Sequence, residues 1–517
     1  MIKKLFAVVL LLAVTMTTTF AQKKEFANLQ KYRNNGSGPI LENDNLLGYY
    51  AFYMYDKADK KNDAYMLQLM DDNLNIVKSV DILRPSGDYL IETVFNGKAF
   101  VSVFYNRKKG IEFLSFDKSG KTNGSYLEEE PAKWEERRLA MAMMDDESVA
   151  NASVFPIGQA GFVRQSFTKN EKLGYKFQGF DNNMKLLWTA GSSETSEKVE
   201  TADILYSSEK YIGVMIARKK NLMTKDVDMF FSLLDSKTGK IVFEKPWKDD
   251  QEMSILNVFM NTEETELYVF GEYWPKGEEM MKAKSEGVVT MLLDLTGKEV
   301  IKKKYSWKND LNKILKTEDN TMMTTKDNVR TYFHRIHMTK SGNIFAIGEQ
   351  YAKAASAMGI ASRAMGGGGS VAQLNILNMV VLELSKDLSL VSFNGYLKKK
   401  TTVALPQGLG GASSNMIAMY VKQVGGFDYE FSSFEKSRDL FAAVYRDYDR
   451  KGDDGKKADI MFGILKLEDG KLSGSRMPIS INSNYFQLNP AKPGYVTIVE
   501  YFKKKKTISF RIEKLVY

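Results

Sequence analysis

A hairpin recurs along this chain, built from an apolar run, an acidic or polar turn, a Gly-Lys step and a second run. Its clearest copies are MFFSLLDSKTGKIVFEKPW at 229–247 and VVTMLLDLTGKEVIKKKYSW at 288–307. Aligned on the turn, the opening residues are Asp71, Asp117, Asp181, Asp235, Asp294, Ser385 and Lys466. The Gly-Lys step survives as Gly120-Lys121, Gly239-Lys240, Gly297-Lys298 and Gly470-Lys471, and decays at Asp387-Leu388-Ser389. Asp accepts the backbone N–H bonds that open such a turn. Gly supplies the positive φ that closes it, and Lys returns the chain to an exposed strand start. Self-similarity of this kind predicts small antiparallel sheets that bury their faces against one another, the pattern of a β-propeller.

A further strand precedes each hairpin, at 49–56, 99–107, 161–168, 211–218, 266–274, 343–351 and 439–448. An eighth pair, 494–502 and 507–515, ends the chain without a fourth strand. Ring closure has a strand from the N-terminal stretch 26–40 complete that last sheet. The expectation is an all-β propeller of eight four-stranded blades, with seven the alternative, in a single domain over 22–517. Phe230, Ser232 and Leu234 alternate with Met229, Phe231 and Leu233, so both faces of this strand are largely apolar. That suits a strand buried between neighbouring sheets. A tandem array of separate sandwiches is the structural alternative. It calls for linkers rich in Pro, Gly or Ser, and the stretches of that kind lie inside the repeats.

The N-terminus reads as a cleaved signal peptide over 1–21: Lys3 and Lys4, an apolar run from Leu5 to Val14, and Thr19-Phe20-Ala21 before Gln22. That run is too short to span a bilayer, and no other segment reaches the roughly 18 uninterrupted apolar residues a span needs. The chain has no Cys. A lipid anchor, a disulfide framework, a thiolate metal site and a Cys nucleophile are thereby excluded. The expected location is periplasmic or secreted, without an anchor. The formal charge of +9 is spread over 73 basic and 64 acidic residues, which reads as a solvated surface without a long basic tract.

The turns Leu234-Asp235-Ser236-Lys237-Thr238-Gly239-Lys240 and Leu293-Asp294-Leu295-Thr296-Gly297-Lys298 resemble the repeats of the pyrroloquinoline-quinone-type eight-bladed propellers. Repeats of that family place a docking Trp soon after the Gly-Lys. Here Trp188, Trp247 and Trp307 follow turns at uneven distances. Quinone enzymes of the family carry a vicinal disulfide. Without Cys, this chain resembles the non-catalytic scaffold members, which implies no cofactor. One such member, the bacterial outer-membrane assembly scaffold, carries an anchor Cys that is missing here. The C-terminal pair resembles the last hairpin of the sorting domains that Bacteroidota-type bacteria append to secreted proteins. The Ig-like portion that precedes that hairpin is not evident, and the pair is read as the last blade.

Four insertions, at 128–150, 275–287, 352–375 and 398–415, are expected on the face opposite the regular turns. Variable loops on a rigid all-β scaffold are where function is carried. The first holds Trp134, Arg137 and Arg138 and predicts a short helix opened by Pro131. The second is a charged, solvated loop. The third predicts a weakly amphipathic helix followed by a glycine hinge, Gly366 to Gly369, and the fourth a flexible connection. Basic loops share this face: Arg107-Lys108-Lys109, Lys219-Lys220, Arg450-Lys451 and Lys503 to Lys506. The residues expected to bind a partner are Trp134, Arg137, Arg138, Lys108 and Lys109.

Catalytic patterns fail one by one. His334 and His337, at i and i+3 on a strand, are expected to point to opposite faces, against a shared metal. No G-x-S-x-G elbow exists. Asp447, Asp449, Asp453 and Asp454 half-match a calcium loop, but Lys451 holds the fifth ligand position and Ala458 the twelfth. A solvated hairpin tip is the better reading there. Nucleic acid is disfavoured because stacking aromatics are not interleaved with the basic loops. The expected function is a non-catalytic exported binding or scaffold protein engaging an envelope or extracellular protein, or a glycan. The alternative is a polysaccharide hydrolase or lyase using carboxylates in the central funnel.

Overall fold

The computed structural model describes residues 22–515, apart from 33–35, 43–44, 145–153, 170–171, 194, 222–226, 281, 357–371, 407–408, 410–411, 436–437 and 450–458. Among the described residues eight sheets follow one another along the chain, antiparallel except where Leu315–Thr317 pairs parallel with Phe393 to Gly395 in the sixth. Seven are completed in sequence order, at 37–85, 89–128, 154–191, 199–246, 257–306, 330–396 and 429–478, here blades 1 to 7. Blade 8 holds Tyr485–Pro490, Tyr495–Phe502 and Thr507–Lys514, and its fourth strand comes from the other end of the chain. The fold is an eight-bladed β-propeller.

The closing strand is Lys23–Phe26, paired antiparallel with Arg511 back to Ile508. The stretch 26–40 contributes only Phe26 to it. The later part of that stretch enters Ser37–Glu42, the first strand of blade 1. The sequence hides the closing strand because its residues, Lys-Lys-Glu-Phe, bury only the last side chain. An outermost strand needs one anchoring apolar group and offers no alternation to read.

Burial follows the ring. Every neighbouring pair of blades shares one apolar core, and a ninth cluster lies outside the ring proper. The strand Asp228–Asp235 shows the principle: Phe231 and Leu233 enter the core shared with blade 5, while Phe230 and Leu234 enter the one shared with blade 3. Each such side chain contributes about 1.5–3 kcal/mol by leaving water. Two apolar faces per strand therefore dictate a sheet with neighbours on both sides.

The turns lock adjacent blades. Gly239 holds φ +67, and a Cβ there would collide with the indole of Trp188 from the outer strand of the preceding blade. Trp188 Nε1 donates to Ser236 O at 2.9 Å in the same turn. Where the glycine is lost, Leu74, Met184 and Leu388 take the positive φ instead, at 64°, 60° and 64°. All three side chains are buried in inter-blade cores. Their burial offsets the roughly 1–2 kcal/mol that a left-handed conformation costs a residue with a Cβ.

Blade 6 departs from the pattern. Its central hairpin, Ile344–Ala355 with Ala372–Leu384, extends past the sheet, and Thr401–Ala404 pairs with Gln373 to Ile376 as an added strand. Two helices matter below: α1, Lys133–Met144, and α2, Ser414–Gln423. Helix α2 packs Ile417, Ala418 and Val421 onto Tyr351, Leu374, Ile376 and Phe427, the ninth cluster. Within the insertion at 398–415, expected as a flexible connection, Thr401–Ala404 is a strand and Ser414 opens α2, while Gly408, Gly410 and Gly411 lie outside the described residues. Residues 352–355 continue a strand where a helix was expected, and the glycine run lies outside the described residues. Apolar alternation in Leu374 and Ile376 supplies the pairing that Thr401–Ala404 answers.

Candidate functional site

In an antiparallel sheet successive connections alternate between the two ends. The turns opened by Asp71 to Lys466 therefore share one face of the ring. The second-to-third-strand loops and the blade-to-blade crossings share the other, where the insertions fall.

The expected partner-binding residues lie on this insertion face but do not make one site. Helix α1 is bolted to the ring: Arg164, 1% exposed, sits 2.5 Å from Glu128 and 3.7 Å from Glu135. Leu139 is fully buried among Tyr89, Tyr105 and Phe113. Arg138 donates to Glu135 Oε1 at 2.7 Å, and the Arg137 guanidinium lies 5.2 Å from the Trp134 ring. Arg138 is therefore part of the helix attachment, and Trp134 is half-buried beneath its own neighbour. Lys108 and Lys109 are exposed in a tight turn, where Asn106 Oδ1 accepts the Lys108 N–H at 2.9 Å. Among the described residues, no hydrogen bond or ion pair joins them to α1.

The same face holds a cavity of about 250 Å³ where blades 8, 1 and 2 meet. Tyr32, Tyr53, Tyr65, Tyr89, Tyr485 and Tyr501 line it, with Gln30, Lys31, Lys503 and Lys506, and no carboxylate among the lining residues. The ring-closing segment builds one wall. After the strand Lys23–Phe26 the chain crosses toward the axis, and Gln30 N and Lys31 N donate to Met54 O at 2.9 and 3.2 Å. Tyr32 is held by its hydroxyl at 2.5 Å from Ser37 Oγ. Its ring centroid lies 5.2 Å from that of Tyr501 at an interplanar angle of 50°, and Tyr501 lies 6.4 Å from Tyr485 at 55°. Burial raises the Tyr32 and Tyr65 hydroxyls well above the ordinary phenol range, so both stay protonated donors. Lys31 Nζ stands 5.2 Å from the Tyr89 ring and Lys503 Nζ 5.9 Å from that of Tyr485, while Lys506 Nζ donates to Gln30 Oε1 at 3.2 Å. Sequence reading singled out the basic loop Lys503 to Lys506 and missed the tyrosines. Their signal was position: Tyr53, Tyr89, Tyr485 and Tyr501 all sit within a few residues of a strand end that opens on this face.

At the turn-side end, strands from blades 1, 5, 6, 7 and 8 surround a cavity of about 330 Å³. Leu41, Phe259, Ile336, Phe434 and Leu440 dominate its wall, and Glu435 is the one carboxylate among the described residues lining it. Two carboxylates on first strands have raised pKa values: Asp203 in blade 4, by desolvation although its side chain remains exposed, and Glu430 in blade 7, by burial against the opposing pull of its partner Arg446.

The two histidines depart from expectation. A bulge at His334, between Phe333 and Arg335, resets the alternation of the strand. Both rings then face blade 7: His334 stacks on Tyr429 at 4.8 Å, and His337 on Phe441 at 4.8 Å. Each is claimed by different neighbours. His334 Nε2 lies 3.3 Å from Glu349 Oε1, and Glu349 accepts the Tyr429 N–H. Burial works against the Glu349 charge, and His334, Lys398 and that N–H outweigh it, so its carboxyl lies below the usual range. Lys398 Nζ, 2.5 Å from Asp428 Oδ2, completes a fully enclosed polar cluster under α2. Such a cluster fixes the seat of the blade 6 extension.

Of the half-matched calcium loop, Asp447 is buried and spoken for: Lys399 N donates to Oδ1 at 2.8 Å, and Arg476 Nε lies 2.7 Å from Oδ2. The guanidinium occupies the place a cation would take. Asp449 is exposed at its strand end, and Asp453 lies outside the described residues. Among the described residues no three His, Asp or Glu side chains converge as a metal site. Among the described residues no helix is long and apolar enough to cross a membrane.

Comparison with solved structures gives distant likenesses. A lignostilbene dioxygenase from Pseudomonas brassicacearum is 10% identical, with 83% of this chain and 89% of that one covered at a TM-score of 0.37. The WD40 domain of SCAP from fission yeast is 7% identical, with 82% and 96% covered and a TM-score of 0.23. A prolyl endopeptidase is 9% identical at a TM-score of 0.28; 81% of this chain is covered, and it spans about half of that enzyme's length, 53%. Scores this low carry no argument about activity. Among curated proteins nothing matches. A family model does match, over residues 1–516, and the chain belongs to that family, described as a family of unknown function (DUF6770).

Proposed function

We propose that this is a non-catalytic, exported binding protein that engages a glycan or a protein through the insertion-bearing face of the propeller. The observation that carries the reading is the tyrosine-lined cavity on that face. Aromatic walls with a few placed polar groups are the build of a ligand site. Strand ends, the turn at 503–506 and the ring-closing segment frame it, on the same face of the ring as the four insertions. Export rests on the basic, apolar and small-residue order of 1–21. The finer likeness to the scaffold members of the pyrroloquinoline-quinone-type propellers, and an origin in a Bacteroidota-type bacterium, belong to the same reading. The seat of Trp188 on the Gly239 turn supports the first of these.

The test is a glycan array read with wild type and with Tyr485→Ala, followed by incubation with any retained polysaccharide. The expected result is retention that falls roughly tenfold or more in the variant, as loss of a stacking ring and its contacts implies, with no shortening of the chain. Release of new reducing ends that stops in Asp203→Asn would overturn this reading in favour of the hydrolase.

A further inference from the structure

We propose that the tyrosine cavity takes one acidic sugar ring, a pyranose bearing a carboxylate or sulfate, with the rest of the glycan lying outside on the insertion face. This rests on the binding reading above and names its ligand. Size argues for a single ring. At about 250 Å³ the cavity falls below the roughly 300–1,000 Å³ of sites that enclose drug-sized ligands. Shape argues for a puckered ring over a flat arene. Tyr501 is tilted by 50° from Tyr32 and by 55° from Tyr485, so a flat arene stacked on one of these faces does not lie flat on its neighbour, whereas a puckered ring can meet both. The Tyr65 oxygen, whose proton goes to Asp88 O, still has lone pairs to accept from ring hydroxyls, and the lysine ammonium groups have N–H to donate to them.

Charge argues for an acid. Lys503 and Lys506 come from the turn between the last two strands and Lys31 from the ring-closing segment, Lys31 and Lys503 lie over tyrosine faces, and among the described residues no carboxylate lines the cavity to cancel them. Lysine ammonium groups bind carboxylate or sulfate oxygen through charge-assisted hydrogen bonds. A neutral sugar would leave these charges without a partner in the ligand, so the cavity selects by charge as well as by shape.

The test is titration calorimetry of the full chain with three probes: a galacturonate trisaccharide, the same trisaccharide with its carboxylates methyl-esterified, and inorganic sulfate. The acidic trisaccharide is expected to bind roughly tenfold or more tightly than its ester, the ratio one charge-assisted hydrogen bond supplies. Its affinity should fall as salt is raised. Lys503→Gln should remove most of that preference while Tyr485→Ala weakens both trisaccharides, each variant keeping the wild-type thermal midpoint. Equal affinity for acid and ester, both lost in Tyr485→Ala, would overturn the acidic ligand and leave the binding reading standing. Sulfate matching the acidic trisaccharide would reduce the site to an anion hole and overturn the sugar. Failure of both trisaccharides to bind would overturn the inference, and the array result decides the broader reading separately.

Discussion

At Glu272 a carboxyl lies 2% exposed, accepting from Ser285 Oγ at 2.7 Å, and burial pushes it up to about 7 despite the pull of Arg330. His337 is displaced the other way, held down to about 4 by burial between Phe434 and Phe441. The two have opposite consequences. Between about 4.5 and 7 the folded Glu272 keeps a proton that the unfolded chain has released, so its contribution to stability falls as pH rises. Between about 6.5 and 4 the unfolded chain binds a proton that folded His337 refuses, so that contribution falls as pH drops. The windows overlap and cancel in wild type. Urea unfolding across pH 4.5–8 should show Glu272→Gln gaining on wild type by about 3 kcal/mol as pH rises. His337→Phe should gain as pH falls. Parallel curves for all three proteins would show that neither group titrates as its burial dictates. None of this was visible in the chain, where Glu272 reads as an outward residue of an apolar strand. Burial of a polar side chain is set by the neighbouring blade, and Ser285 is the only trace of it nearby in sequence.

Helix α1 and the blade 6 extension show what elements add. The helix over 133–144 was legible from Pro131 and its spacing, yet its attachment to the ring was not, because its anchor is Arg164, a strand residue. Replacing Arg164 by Met removes the buried cation shared by Glu128 and Glu135, leaving them only the less buried Lys176 and Arg138, and should cost about 3 kcal/mol. The accompanying release of α1 would appear as a red shift of Trp134 emission, which a purely local repacking would not produce. The blade 6 extension was misread for the opposite reason. Its alanines and glycines favour no single element, and only pairing with Thr401–Ala404 decides the strand. The histidine faces failed on a bulge, one extra residue that no alternation rule anticipates. By contrast the Asp-to-Gly-Lys turns were fully legible, because Asp235, Gly239 and their equivalents act on their own backbone.

At the scale of the ring, the count of blades followed from those turns, and its closure rests on four residues. Phe26 is the anchor, 5.8 Å from Tyr53 and 5.9 Å from Phe510, in the core shared by blades 8 and 1. Phe26→Asp should cost at least about 3 kcal/mol by placing an unpaired charge in that core. It should also speed amide exchange in Thr507–Lys514 while leaving blades 3 to 6 protected. Uniform loss of protection would mean the ring opens only as a whole.

That seam orders events in time. A chain that emerges N-terminus first presents Lys23–Phe26 before the strand it pairs with has been made. Nearly the whole chain separates Lys23 from Arg511. Seven blades can zip from local contacts, but the last must wait for both ends to meet, and closing so long a loop is an entropic toll taken at the finish. Until then Thr507–Lys514 offers an open edge of the kind that recruits other strands. The lysines and glutamate that made the closing strand hard to read keep the waiting segment in water, so its plainness in sequence is what lets it arrive late.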